Sequence, residues 1–431
     1  MVIGNSSTSR MLTNRAPRHI TVIGAGVVGS ATALTLAERG HHVLLMDKAA
    51  APGLGTSFAN GAQLSYAYTD ALASPALRRA IPRVLLGRDP AFHVRLRLDP
   101  DFLRWCLAFL ANTAESAATA NTIAGLRLAA RSRVALAGLA QRHGLAFDHA
   151  KPGKLIIYRS ERALDAARAA VALKARHGAV QRLLTAAQTI ALEPLLADNG
   201  KDIIGAVHDV GEETGDPHLF CRAAGAALAA IGGCETRFGI AVVRLEPGRG
   251  RVVIRLSEGG ALDTEAVIVC GGPETNHLTA PLGARLPIAL IKGHSITAPP
   301  GPQLLGLSIT DAARRIVVAR LGDHVRVAGL ADLGARDASV EPTRLAQLIA
   351  DAQVVVPAAA DYAQIKARWA GLRPVTPNSL PIIRRVAPGV IVNAGHGALG
   401  WTYAAGCAVD VADMIDERPQ TANDRGGVEG A

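Results

Sequence analysis

The stretch HITVIGAGVVGSATALTLAERGHHVLLMD near the N-terminus constrains the fold more than any other part of the chain. Apolar residues run almost without a break in two segments, which predicts strands over 19–23 and 42–47. A helix is predicted over 27–39, closed by Gly40. Such continuous apolar strands are typical of a parallel sheet that is covered on both faces. The stretch therefore predicts an α/β fold that starts with a βαβ unit.

Three glycines, Gly24, Gly26 and Gly29, form a GxGxxG pattern where the first strand turns into the helix. The first allows a tight turn, the second lets a pyrophosphate approach the backbone, and the third lets helix and sheet pack closely. Asp47 ends the second strand, where a carboxylate accepts a hydrogen bond from an adenosine ribose and disfavours a 2′-phosphate. The pattern predicts a dinucleotide site and argues against NADP, but it does not separate NAD from FAD.

A second glycine-rich turn, NAGHGALGWT at 393–402, precedes a helix that is predicted to begin near residue 398. An NAD site would not need this distant segment, whereas the free N–H groups and dipole of a helix N-terminus would stabilise the negative charge of a reduced flavin. We therefore expect FAD. Glycines that only permit close helix packing remain the alternative, and an NAD-dependent dehydrogenase also stays open. The residues expected at the flavin from this turn are Gly395, His396, Gly397, Leu399, Gly400, Trp401 and Thr402.

Composition excludes several other classes of protein. The five cysteines lie far apart and show no zinc or iron–sulfur spacing, so no metal site is expected. The net charge of +10 comes without a pattern of stacking aromatics, so no nucleic-acid partner is expected, and acidic substrates or an anionic lipid surface remain. No stretch is predicted to span a membrane. Residues 1–17 and 421–431 are expected to be a disordered lead and tail.

Nucleotide-type and antiparallel segments alternate along the rest of the chain, which predicts two interleaved domains. An FAD-binding domain is expected from residues 18–69, 181–285 and 370–420. A substrate domain is expected from 70–180 and 286–369. The second includes a hairpin around a Gly-Asp turn in RRIVVARLGDHVRVAGL.

Six motifs in order carry a family resemblance over residues 18–415: VIGAGVVGS, GTSFANGAQLS, GEETGDPHLF, IKGHSIT, WAGLRPVTPNSLPI and NAGHGALGWT. The chain resembles the small-subunit type of bacterial D-amino acid dehydrogenase, within the D-amino acid oxidase family of flavoproteins. This resemblance implies a GR2-type Rossmann-like FAD-binding domain interleaved with an antiparallel-sheet substrate domain. It also implies oxidation of D-amino acids to 2-oxo acids and ammonia, with FAD as cofactor.

The resemblance extends the set of residues expected around the cofactor. The loop GTSFANGAQLS would run under the flavin ring, Val242 would flank the adenine, and the CGG at 270–272 would approach the pyrophosphate. Outside the terminal turn, the predicted set is Val22, Ile23, Gly24, Gly26, Val27, Val28, Gly29, Asp47, Lys48, Thr56, Ser57, Asn60, Gly61, Gln63, Val242, Cys270, Gly271 and Gly272.

Four positions depart from the family pattern in loops that face flavin or substrate in the resembling enzymes: Phe58, His294, Asn378 and Ser379. They leave open a secondary or cyclic amine as substrate, such as glycine, D-proline, D-hydroxyproline or an opine. A flavin-binding subunit that needs a partner for chemistry is the non-enzymatic alternative.

Oxidation at Cα requires that the substrate carboxylate be held while a hydride leaves for flavin N5. An arginine provides a planar bidentate clamp, and the candidates are Arg320 at the end of RRIVVAR and Arg373 in GLRP. His396 is expected to have a structural or electrostatic role more than that of a general base, because no paired carboxylate accompanies it.

A single dinucleotide motif, without iron–sulfur ligands, implies that electrons pass directly from the flavin to an outside acceptor. The resemblance favours a quinone or another non-pyridine carrier, and oxygen stays open. The scattered cysteines indicate a reducing compartment, so we expect a cytoplasmic protein, with peripheral contact at the cytoplasmic face of the inner membrane as an open option. The oligomeric state, homo- or hetero-oligomeric, is also open.

Overall fold

The computed structural model describes residues 16–198 and 200–417. The predicted tail at 421–431 and almost all of the predicted lead at 1–17 lie outside the described residues. Ten helices lie within the described part: α1 Val27–Glu38, α2 Pro75–Leu85, α3 Pro100–Ala111, α4 Glu115–His143, α5 Glu161–Ala175, α6 Ala186–Leu192, α7 Pro217–Ala229, α8 Thr275–Thr279, α9 Pro342–Val355 and α10 Gly400–Asp416. None of them combines the length and the hydropathy that crossing a bilayer requires.

The strands within the same described ranges are short and numerous. They are β1 His19–Ile23, β2 His42–Asp47, β3 Gln63–Leu64, β4 Phe92–Val94, β5 Lys154–Tyr158, β6 Arg182–Thr185, β7 Gly205–Asp209, β8 Glu213–Thr214, β9 Glu235–Phe238, β10 Val242–Pro247, β11 Val252–Leu256, β12 Ala261–Thr264, β13 Ala266–Val269, β14 Ala289–Ala298, β15 Ser308–Asp311, β16 Ile316–Leu321, β17 His324–Leu333, β18 Ala367–Val375, β19 Ile382–Ala387 and β20 Val390–Ala394.

The first sheet has the order β19-β20-β13-β1-β2-β9 and is parallel apart from β19. The βαβ unit predicted from the sequence is present, because β1 and β2 have the predicted bounds and α1 ends one residue early. Gly40 follows that end with φ +88, a conformation that favours glycine. Helices α1, α4, α7 and α10 pack with this sheet in one apolar core.

The second sheet has nine strands, in the order β18-β14-β17-β16-β15-β5-β7-β6 with β4 paired to β17. The predicted hairpin is its antiparallel pair β16–β17. Strands β6 and β7 belong to this sheet, although the predicted FAD-binding segment 181–285 includes them. Strand β18 also belongs to it and begins before the predicted boundary at 370. Strand pairing is a long-range choice, so an apolar run does not tell which sheet it joins.

Helix α4 is a further difference from the predicted domain boundaries. It falls within the predicted substrate segment 70–180, yet it packs on α10 in the core of the first sheet. Gly406 permits this close approach, since a Cβ there would lie 3.0 Å from Ser132 Cβ. The Gly406 amide also donates to Ser132 Oγ at 3.0 Å.

Candidate active site

A cavity of about 590 Å³ runs across the carboxyl ends of β1, β2 and β13 and continues to β18 and the turn before α10. The carboxyl ends of parallel strands are the usual position of a ligand in an open α/β sheet. Both glycine-rich turns of the sequence line this one cavity, although about 370 residues separate them. The chain therefore folds back as the second glycine turn requires.

At the first glycine turn, the backbone faces the cavity without side chains. Gly24 has φ +102, and a Cβ there would lie 2.3 Å from the Cys270 carbonyl oxygen. A Cβ on Gly29 would lie 1.7 Å from the Gly24 carbonyl oxygen, so helix α1 can pack this closely only with glycine. Gly26 precedes the first residue of α1 and lines the cavity, where no side chain separates the helix N-terminus from a ligand.

Two side chains fix this turn. The Ala25 amide donates to Asp47 Oδ2 at 2.6 Å, which ties the end of β2 to the turn. The Val27 amide donates to Ser57 Oγ at 3.0 Å, which brings the loop after β2 to the N-terminus of α1. Asp47 lines the cavity and keeps acceptor capacity for a ribose hydroxyl, because a carboxylate has about four lone-pair sites.

The second glycine turn consists of Gly395 at φ +79, His396, and a short 3₁₀ turn over Gly397–Leu399 that leads into α10. Within the described residues no side chain caps α10, so its N-terminal amides are not satisfied in that way. The His396 side chain is 5% exposed, and burial lowers its pKa to about 3. Its Nε2 atom has no hydrogen-bond partner among the described residues. The turn thus presents an uncapped helix N-terminus and a neutral imidazole to the cavity.

The two candidate arginines lie in different environments. Arg373 lines the cavity, donates from Nη1 to the Leu330 carbonyl oxygen at 3.2 Å, and forms no salt bridge within the described residues. Burial lowers the pKa of Arg373, against the opposing attraction of the Asp332 carboxylate. Arg320 is exposed on β16, donates to the Gly322 carbonyl oxygen at 3.2 Å, and does not line the cavity. Of the two candidates, the structure therefore brings Arg373, and not Arg320, to the site.

Arg373 owes its place to two glycines on neighbouring strands. A Cβ on Gly293 of β14 would lie 2.2 Å from Arg373 Nη2, so only glycine leaves room for the guanidinium. A Cβ on Gly371 of β18 would lie 2.1 Å from the ring of Trp369, which also lines the cavity. Sequence reasoning missed Trp369 and Gly371 as site residues, although both belong to the quoted WAGLRP motif.

Most of the residues predicted at the cofactor line the cavity. The predicted residues that do so are Ile23, Gly24, Gly26, Val27, Val28, Asp47, Lys48, Thr56, Ser57, Asn60, Val242, Cys270, Gly271, Gly272, Gly395, His396, Gly397, Gly400 and Trp401. The predicted residues outside the lining are Val22, Gly29, Gly61, Gln63, Leu399 and Thr402.

The predicted residues outside the lining have other contacts. Gly61 faces Val317, to which a Cβ would approach within 2.8 Å, and the Gln63 amide faces Ser308 of β15. Thr402 Oγ1 accepts a hydrogen bond from the Ser65 amide at 2.9 Å. These residues connect the loop after β2 to the large sheet and to α10. They therefore position the lining residues of that loop without lining the cavity themselves.

The four departures from the family pattern do not line the cavity. Phe58 packs against the His218 ring with centroids 5.0 Å apart, and His294 is buried on β14, where its Nε2 accepts from the Glu341 amide. Ser379 Oγ accepts from the Leu72 amide at 3.0 Å. The expectation that these positions face the ligand is therefore not met, because the strand and turn that carry them direct them to other partners.

The segment Arg336–Ala338 was missed at the sequence level and lines the cavity between β17 and α9. Buried Lys292 holds it, since Lys292 Nζ donates to Asp337 Oδ1 at 3.2 Å and to Glu341 Oε1 at 2.9 Å. Hydrogen bonds from Ser339, and after them the contact with Lys292, lower the pKa of the Asp337 carboxyl, and the Lys292 contact lowers the pKa of Glu341. No local pattern could have found this segment, because the contact depends on the pairing of β14 with β17.

Comparison with known proteins decides the family. The profile described as FAD dependent oxidoreductase matches residues 19–414. The chain belongs to this family of FAD-dependent oxidoreductases. It is 39% identical to D-amino acid dehydrogenase 2 of Ralstonia nicotianae, over 93% of this chain and 96% of that protein. It is 37% identical to D-amino acid dehydrogenase of Paramagnetospirillum magneticum, over 93% and 95%.

Among solved structures, glycine oxidase from Geobacillus kaustophilus has a TM-score of 0.71 at 21% identity, with 95% of this chain and 96% of that chain covered. This likeness shows the fold. The predicted resemblance, the predicted fold class and FAD as cofactor are confirmed.

The cavity suits FAD on grounds internal to the structure. The bare turn at Gly26 leaves space beside a helix N-terminus, where a pyrophosphate is favoured. Two buried polar atoms at the other end, His396 Nε2 and Asn393 Oδ1, lack partners among the described residues. Both of these residues line the cavity, so a polar cofactor would supply the partners that they lack.

Proposed function

We propose that the chain oxidises D-amino acids at Cα to 2-oxo acids and ammonia, and that the electrons leave for a quinone or another non-pyridine acceptor. One observation carries this proposal: Arg373 lines the cavity and forms no salt bridge within the described residues. A charged group in such a place needs an anion. The carboxylate of an amino acid matches the guanidinium in shape and charge.

In the proposed reaction Arg373 holds the substrate carboxylate bidentately and so fixes the position of Cα. When bound, FAD supplies the two-electron acceptor for the hydride that leaves Cα. His396 stays neutral at physiological pH because its pKa is about 3. It therefore forms hydrogen bonds with groups bound in the cavity and orients them, but it does not serve as the base. A substrate amine that arrives neutral needs no base, and water hydrolyses the released imino acid.

The names of the relatives support a D-amino acid as substrate, since both are D-amino acid dehydrogenases. The sequence departures at Phe58, His294, Asn378 and Ser379 suggested a cyclic or secondary amine, but these residues lie outside the cavity lining. No observation on the site therefore favours that second substrate class. A single dinucleotide turn supports direct transfer to an outside acceptor. We place the protein in the cytoplasm.

The test is an anaerobic titration of the purified holoenzyme. D-alanine should bleach the flavin absorbance, whereas L-alanine, glycine and D-proline should bleach it far less. A water-soluble quinone analogue should then restore the absorbance faster than air does. Bleaching by glycine or D-proline in preference to D-alanine would contradict the proposed substrate, and faster recovery in air would contradict the proposed acceptor. An active single polypeptide excludes a subunit that depends on a partner.

A further inference from the structure

The part of the chain from α2 to α3 exposes an unusual amount of apolar surface. Seven leucines between residues 85 and 110 are exposed, and the most exposed are Leu98 at 93% and Leu96 at 74%. Single exposed apolar residues are common on protein surfaces, but a run of them within one segment marks an interaction site.

Helix α3 shows that this surface is a separate apolar face. Its inner side carries Trp105 and Phe109, which are buried in an apolar cluster with strands of the large sheet. Its outer side carries Leu103, Leu107 and Leu110, which follow the i, i+4, i+7 spacing of one helical face and are exposed. The outer leucines are thus not needed to fill the core, and a helix with two apolar sides requires a second apolar environment.

Basic residues lie on the neighbouring helix α2, whose inner residue Val84 is buried in the same apolar cluster as Trp105 of α3. Arg78, Arg79 and Arg83 on α2 and Arg88 after it are exposed and form no salt bridge with the described residues. The segment 75–111 holds seven arginines against three aspartates. Leucines that enter the acyl boundary beside arginines that reach lipid phosphates are the chemistry of an interfacial helix.

We propose that this leucine–arginine face, on residues 75–111, docks the protein on the surface of a bilayer that contains anionic lipid. Charge favours this occupant over a second copy of the chain. A two-fold dimer through the face would set the patch against itself, so four unpaired arginines would meet four others. A bilayer of anionic lipid offers apolar depth and negative charge together.

The face is close to the active site. Trp105 Nε1 donates to the Val375 carbonyl oxygen at 2.8 Å, and Val375 lies two residues beyond Arg373 on β18. Docking would therefore bring the substrate side of the cavity near the membrane, where an apolar acceptor is dissolved. This link to the acceptor rests on the proposed function, whereas the docking depends only on the surface.

Flotation of the holoenzyme with lipid vesicles tests the docking, without substrate. Wild-type protein should bind vesicles that contain phosphatidylglycerol and should bind pure phosphatidylcholine vesicles at least tenfold more weakly. The double variant Leu103→Gln/Leu107→Gln should lose at least tenfold in binding. Each of Arg78→Gln and Arg83→Gln should cost about fivefold on anionic vesicles.

The matched control is Val134→Gln, which removes an even more exposed apolar side chain from α4 and should bind as wild type does. Flavin absorbance and the rate of D-alanine oxidation with an artificial dye should be unchanged in every variant, because the substituted residues lie outside the cavity lining. These two readouts separate loss of docking from loss of folding, and they report on the proposed activity independently of vesicle binding.

The proposal would be overturned if the leucine variant bound vesicles as well as the wild type does. It would also be overturned if the wild type bound anionic and neutral vesicles equally. A third outcome would also overturn it: the wild type is a dimer in sedimentation and does not bind vesicles, and the leucine variant is a monomer. This result would assign the face to self-association.

Discussion

Replacement of Arg373 with methionine tests the centre of the proposed chemistry. Methionine keeps most of the length and the apolar stem of arginine but removes the charge and all donors. The substrate carboxylate would then enter the cavity without a partner. Loss of one member of a buried charge pair costs about 2 to 5 kcal/mol.

About 1.4 kcal/mol corresponds to a tenfold change, so kcat/KM for D-alanine should fall by roughly 30-fold to 5,000-fold. Lysine at this position should lose less, because it keeps the charge but cannot form the bidentate pair. The fold should tolerate the change, because burial already disfavours the charged form of Arg373 and its only protein hydrogen bond within the described residues is to the Leu330 carbonyl. The thermal midpoint should therefore stay equal or rise.

The assay is steady-state dehydrogenation of D-alanine with an artificial dye, together with the dissociation constant of a carboxylate inhibitor such as benzoate. Arg320→Met is the matched control, since Arg320 is exposed on the same sheet and should keep kcat/KM within about twofold. Wild-type kcat/KM in Arg373→Met, or a large loss in Arg320→Met, would refute the assignment of the carboxylate clamp.

Three further changes follow from the geometry. Gly293→Ala places a Cβ 2.2 Å from the Arg373 guanidinium, so kcat/KM should drop at least tenfold while the flavin stays bound, as absorbance and kinetics on one sample would reveal. Asp47→Ala should weaken FAD binding by about tenfold to a hundredfold through lost charged hydrogen bonds, measured by flavin fluorescence, with Asp263→Ala as the unaffected control. His396 has a folded pKa of about 3, below its ordinary value of 6.5, so its contribution to stability is complete above pH 6.5 and declines as the pH falls toward 3. Urea unfolding at pH 7 and pH 5 should show that the wild type loses about 2 kcal/mol more than His396→Asn, and equal losses would contradict the buried neutral imidazole.

Local chemistry predicted several features well. The bounds of β1 and β2 follow from apolar runs that end in turn residues, and the Gly24 turn follows from a conformation that glycine adopts easily. Helix α7 begins at Pro217 and is capped by Asp216, a local pair of residue types that is typical of a helix start. In each case the determining contacts lie within a few residues of one another.

Long-range pairing decided the rest of the fold. Strands β6 and β7 join the large sheet because β7 pairs with β5, a partner that no local pattern identifies. The position of the Arg336–Ala338 segment at the cavity likewise depends on Lys292, which reaches it from another strand.

The sequence by itself determined that the chain binds a dinucleotide and predicted two glycine turns as its site, because glycines at a helix N-terminus can be recognised from residue types alone. Only the tertiary structure separated Arg373 from Arg320. Both are arginines on strands of one sheet. Gly293 and Leu330, which contact the Arg373 guanidinium, come from other strands, whereas Arg320 stays exposed and its side chain donates only to the nearby Gly322 carbonyl within the described residues. The leucines of α3 follow the same rule, since helical spacing predicts an apolar face but not whether another element covers it.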